Sequence, residues 1–112
     1  MVKLMDRRRY LAIKLVGDVS LDEMRYELSR NFRRLLGEIT LAKMEPKFRE
    51  LIEEKKVIIL QVNHRYVDEA RAVVALTKVL ERGGKRGSLF VLGVSGTINK
   101  LKEKFLLQQE GR

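Results

Sequence analysis

Hydrophobic and polar positions alternate in blocks whose period switches between two and about 3.6 residues, the mark of a mixed strand and helix chain. Arg9 to Val16 reads as a strand, with Leu11, Ile13 and Leu15 on one face and Tyr10, Ala12, Lys14 and Val16 on the other; Gly17-Asp18 ends it. Ser20-Leu-Asp-Glu23 is a capping-box pattern, in which Ser20 accepts from the third helical N–H and Glu23 reaches back. The helix that follows sets Leu21, Met24, Leu28, Phe32, Leu35 and Leu36 on one side, and Gly37 is its expected stop. Residues 38–45 fit a short helix or an irregular connection equally.

Pro46 introduces a charged strand over Lys47–Glu53, a composition suited to a sheet edge. Glu53-Glu-Lys-Lys56 forms a hairpin turn into Val57–Val62, which is apolar on both faces and therefore a central strand. Asn63 caps a second helix whose apolar positions are Val67, Ala70, Val74 and Thr77, beside Val73 and Leu80. Gly83 to Gly87 reads as a flexible basic turn, and Leu89–Val94 as the fourth strand. Gly93-Val-Ser-Gly-Thr97 leads out of the sheet into a last helix with Ile98, Leu101 and Phe105 inward. The order β-α-β-β-α-β plus a helix predicts an α+β, ferredoxin-like split β-α-β fold: a four-stranded antiparallel sheet with helices on one face, in a single domain over residues 1–112. The other face stays open unless the terminal helix folds over it.

Composition narrows the function classes. Cysteine is absent, which removes disulfides, thiolate catalysis and cysteine-containing zinc sites. No apolar run reaches the roughly 18–20 residues of a membrane span, and the first ten residues lack a signal-peptide core, so a cytoplasmic protein without membrane contact is expected. The formal charge is +9: residues 1–19 carry +3 and residues 82–104 carry +5, so most of the excess lies near the two ends of the chain. Were the fold to bring those ends together, they would form one basic surface, and a basic surface attracts polyanions because each neutralised phosphate releases counterions. The competing reading is a protein-interaction module whose charge serves solubility only.

Intrinsic catalysis finds no support. Glu50, Glu53, Glu54, Asp68 and Glu69 are interleaved with Lys and Arg, as on solvated turns, rather than converging as a two-metal site requires. His64 is the sole histidine, with no second ligand or nucleophile to work beside. No catalytic residue, metal ligand or bound cofactor is therefore expected. The strands offer only Tyr10, Phe48 and Phe90, without the paired aromatics of single-strand RNA readers, so any RNA contact would rest on charge and shape. Candidate contacts are Arg7, Arg8 and Arg9; Arg30, Arg33 and Arg34; Lys85 and Arg86; and the corner Ser95, Gly96, Thr97 with Lys100, Lys102 and Lys104. Ile98, Leu101, Phe105 and Leu106 of the last helix either close the sheet or meet a partner protein.

Arg8-Arg-Tyr-Leu-Ala-Ile-Lys14, Leu36-Gly-Glu38 and, most specifically, Leu92-Gly-Val-Ser-Gly-Thr-Ile98, followed by Leu101-Lys and Lys104-Phe-Leu106, resemble the archaeal ribonuclease P protein component 2 family. Its eukaryotic relatives are small subunits of nuclear ribonuclease P and MRP. The likeness runs in order along nearly the whole chain. The proline-containing lead-in common before the first strand is missing, and Asn99 and Glu103 stand where relatives often carry basic residues. The resemblance implies an RNA-recognition-like fold without the usual aromatics. It implies a role in 5′ leader removal from precursor tRNA, with the Mg²⁺-dependent active site in the ribonuclease P RNA. It also implies pairing with a TIM-barrel-like subunit, component 3, in an assembly compatible with a dimer of heterodimers.

Overall fold

The computed structural model describes residues 7–77, 80–82 and 84–107. Its elements are β1 (Arg8–Gly17), α1 (Leu21–Met44), β2 (Lys47–Ile52), β3 (Val57–Asn63), a 3₁₀ turn (His64–Tyr66), α2 (Val67–Leu76), β4 (Leu80–Arg82), β5 (Lys85–Ser95) and α3 (Ile98–Lys102), which runs on as a π turn over Glu103–Leu107. The strands form one antiparallel sheet in the order β2-β3-β1-β5-β4. The first four positions are the ferredoxin-like arrangement that the sequence predicts. The strand not predicted is β4: Lys85 and Arg86 are not in a loose turn but begin β5, pairing with Arg82 and Glu81. Gly83, the first residue of that expected turn, lies outside the described residues.

α1 starts on the expected cap, since Ser20 Oγ accepts from the Glu23 N–H at 3.1 Å while Glu23 Oε1 accepts from the Ser20 N–H at 3.3 Å. Gly37 leaves helical geometry (φ 81°, ψ 170°) and ends the first helical segment of α1, as expected, and of the two readings open for residues 38–45 the short helix is the one found. A second segment continues because Leu41 and Met44 find the core, and Glu45 closes it in a left-handed conformation with its N–H on Leu41 O. Leu35 falls outside the apolar stripe and stays exposed. Leu80 also leaves its expected place beside the second helix, which stops at Leu76, and enters β4.

Two cores sandwich the sheet. On one face, Leu11, Ile13, Leu15, Ile58, Leu60 and Val62 pack against Met24, Leu28 and Phe32 of α1 and Ala70, Val73 and Val74 of α2. On the other, Ala12, Val57 and Ile59 lie beneath Leu101 and Leu106, flanked by Tyr10, Leu92, Ile98 and Phe105. The terminal helix thus closes the second face, and β3 is buried on both sides as its apolar run requires.

A buried polar relay ties α1 to α2. Asn31 Nδ2 donates to Thr77 Oγ1 at 2.9 Å, Thr77 Oγ1 donates to Val73 O at 2.7 Å, and Arg34 donates to Asn31 Oδ1 at 2.9 Å. Thr77→Val keeps the shape but leaves the Asn31 amide without its acceptor, so we expect a loss of about 1–3 kcal/mol in denaturant unfolding. Thr77→Ser should restore most of it; a Val variant as stable as the parent would show the relay to be dispensable.

Candidate nucleic-acid interface

The antiparallel register decides which cations meet. Arg8 pairs with Asn63, Arg9 with Val62, and Tyr10 with Ser95, so the start of β1 lies between the ends of β3 and β5. His64 N–H donates to Arg7 O at 2.8 Å, which seats Arg7 beside the 3₁₀ turn carrying Arg65. Asn63 holds that turn by accepting from the Arg65 N–H at 2.9 Å. Arg9 Nη1 donates to Arg8 O at 3.1 Å and lies 3.9 Å from where a Cβ on Gly96 would sit, so its guanidinium rests against the strand-to-helix corner. Thr97 caps α3 by accepting from the Lys100 N–H at 3.1 Å, and the Ser95 hydroxyl accepts from Thr97 N–H at 3.4 Å. Arg7, Arg8, Arg9, Arg65, Ser95, Gly96, Thr97 and Lys100 therefore share one end of the sheet, with Asp68 and Glu69 in the first turn of α2 as the acidic residues nearest in sequence.

The other candidates separate from this group. Gly17 pairs with Gly87, which puts Lys85 and Arg86 at the opposite end of β1. Eight residues at roughly 3.3 Å each place that end about 26 Å from Arg9. The C-terminal basic stretch is thus split: Lys100 joins the Arg7–Arg9 end, and Lys85 and Arg86 make a second patch. At the second patch Lys14 Nζ donates to Lys55 O and Lys56 Nζ to Gly17 O, both at 2.7 Å.

The α1 arginines are engaged locally: Arg30 with Glu27 at 3.3 Å, Arg33 with Glu38 at 2.9 Å, and Arg34 with Asn31. Lys102 forms an ion pair with Glu50 of β2 at 3.0 Å, tying the terminal helix to the edge strand, whereas Lys100 and Lys104 are exposed. Leu101 and Leu106 are buried in the second core and Ile98 and Phe105 pack around them, so these four residues close the sheet instead of forming a docking face. The physical reason is the open half of the sheet: Ala12, Val57 and Ile59 would otherwise face water.

Arg65 was not among the sequence candidates. The signal for it was present, because in this topology the end of the third strand meets the start of the first, and Asn63-His-Arg65 follows directly. Arg49, whose guanidinium donates to the buried Gln61 Oε1 at 2.6 Å, carried no comparable signal, since the irregularity between Phe48 and Glu50 that aims it is invisible in the pattern. Among the described residues, no three of His, Asp and Glu gather as a metal site, and no helix is long and apolar enough to cross a membrane.

Comparison with known proteins agrees with this architecture. A chain in the cryo-EM structure of yeast ribonuclease MRP superposes with a TM-score of 0.62 at 17% identity, covering 98% of this chain and 95% of that one, a likeness of fold. Ribonuclease P protein component 2 of Thermococcus gammatolerans is 36% identical over 107 residues, spanning 94% of this chain and 88% of its own length. The protein of the same name from Methanosarcina mazei is 38% identical over 108 residues, with 94% and 88% covered. Residues 9–106 match the Rpp14/Pop5 family, and the chain belongs to that family.

Proposed function

We propose that the chain is a protein subunit of ribonuclease P that binds the catalytic RNA and supports removal of 5′ leaders from precursor tRNA. The observation that carries this reading is the gathering of Arg7–Arg9, Arg65 and Lys100 at one end of the sheet in a member of this family. A folded RNA crowds phosphates around its metal sites, and cations fixed nearby lower that repulsion and the Mg²⁺ needed to overcome it. The protein contributes position and charge; the Mg²⁺-dependent chemistry resides in the RNA. A protein partner such as component 3 docks elsewhere than on the apolar face of the terminal helix, which is used internally; Leu35 and Ile39 of α1 remain exposed beside the Gly37 kink.

The test is cleavage of precursor tRNA by the cognate RNA and component 3 at low Mg²⁺, with and without this chain. Correct 5′ cleavage restored only in the complete mixture is the expected result. No effect of the folded protein would favour an interaction module, and cleavage by the protein alone in Mg²⁺ would make it a nuclease in its own right.

A further inference from the structure

The face of the sheet that the terminal helix covers over Ala12 and Ile59 ends on a polar row. Lys47 stands opposite Gln61, Gln61 opposite Tyr10, and Tyr10 opposite Ser95. Residues directly opposite in an antiparallel pair share a face. Tyr10 packs against the Ala12–Ile59 cluster, so all four side chains stand on the terminal-helix side of the sheet. Three strand spacings make the row about 14 Å long. Arg8, two residues before Tyr10, continues the same face toward the basic cluster at the β1 end.

Gln61 is the unusual member, a polar side chain only 3% exposed where this face of β3 otherwise carries Val57 and Ile59. The irregularity between Phe48 and Glu50 turns Arg49 onto it, and Arg49 Nη1 donates to Gln61 Oε1 at 2.6 Å. A guanidinium can only donate, so this bond fixes which way the carboxamide points and leaves its nitrogen to donate elsewhere. Among the described residues nothing accepts from that nitrogen. It is not sealed from the surface either, since the buried polar side-chain atom left without a partner is His64 Nε2. Lys47 and Arg49 are exposed and meet no carboxylate among the described residues, while Glu50, the next residue on β2, is held by Lys102. Ser95 Oγ accepts from the Thr97 N–H at 3.4 Å, which leaves its own O–H to donate.

We propose that this row is a second phosphate track for RNA, in which Lys47 and Arg49 supply charge and the Gln61 amide, preset by Arg49, donates to a phosphate oxygen. Donors without matching acceptors suit a phosphodiester. An acidic protein segment would also need apolar anchors at the centre of its contact, and those of this face are already packed beneath the terminal helix. The proposal rests on the reading of this chain as an RNA-binding subunit.

The full chain mixed with component 3 is titrated, over a range of salt, with ribonuclease P RNA and with precursor tRNA separately. Lys47→Gln with Arg49→Gln should weaken binding to one of them at least fivefold and flatten its salt slope by about 1.4–1.8, the loss of two phosphate contacts. The RNA that responds is the source of the phosphates. Gln61→Glu keeps the size and the acceptor for Arg49 but turns a donor into a negative charge, so it should weaken the same RNA at least fivefold with the melting transition kept. Should that buried change unfold the chain, the double variant, at two exposed positions, still decides. Lys43→Gln, on α1 and so behind the sheet, should leave the slope nearly unchanged; an equal effect per charge would reduce the track to diffuse attraction and overturn it.

Unchanged binding of both RNAs by the double variant overturns the proposal, as does a loss of component 3 binding in its place. If the double variant changes the slope only after residues 1–6 are deleted, the chain's own N-terminal segment fills the row, and the proposal again falls. A parent that binds RNA while its variants bind equally well sinks the track alone. A parent that binds neither RNA sinks the functional reading and the track with it.

Discussion

Gly93→Ala should lower the stability of the isolated protein by about 2–3 kcal/mol, the range of an overpacked core that also displaces an aromatic ring. A Cβ built on Gly93 would overlap the outer ring atoms of Phe105, which rest against the bare backbone of β5 at that point. Backbone cannot yield, because Gly93 is paired with Ala12 beside the bulge that turns both Leu92 and Gly93 toward the terminal helix. The ring must therefore leave, and with it the π turn that seats Leu106 over Ala12, Val57 and Ile59. For a domain of this size the melting temperature should fall by roughly 10–20 °C. Phe105→Ala, with the obstacle removed, should make the further change at Gly93 nearly neutral, and the double-mutant cycle measures that coupling directly. A Gly93→Ala protein that melts like the parent would mean that the ring does not occupy this place.

The same glycine illustrates which parts of the molecule are legible in the sequence. Period-two and period-3.6 patterns report burial, so β1, β3, the core stripe of α1 and the order of the elements are written into Leu11, Ile13, Leu15, Val57–Val62 and the Leu21–Phe32 series. The pattern is silent where one residue serves backbone geometry. Gly37 is a legible helix stop, but the pattern does not show that a second segment follows it, held by the burial of Leu41 and Met44. Gly93 reads only as the start of the turn out of the sheet, but its bare backbone makes room for Phe105. Charge is harder still. Arg7–Arg9 and Lys85-Arg86 are alike in composition, and only the register of β1 against β5 assigns them to opposite ends. The family resemblance carried the functional reading further than residue patterns could, yet it too left open whether the terminal helix covers the sheet.

Neutralising Arg8, Arg9 and Lys100 together should weaken binding to ribonuclease P RNA by tenfold or more near physiological salt, with a flatter salt dependence. Each phosphate contact contributes about 0.7–0.9 to the slope of log K against log salt, so loss of three contacts should flatten it by about 2.1–2.7. Lys102, two residues along, provides the contrast. Its ammonium is matched by Glu50 at 3.0 Å across the gap between the terminal helix and β2, so its charge is already balanced within the protein. Lys102→Gln should therefore leave the salt slope nearly unchanged. Because both partners are more than a third exposed, the stability lost with that pair should be no more than about 1 kcal/mol. Lys85→Gln tests the distant patch, about 26 Å away along β1. If it flattens the slope as much per charge as Lys100→Gln does, the RNA spans both ends of the sheet. If the triple variant binds with an unchanged slope, the cluster at the β1 end is a solvated surface and the RNA lies elsewhere.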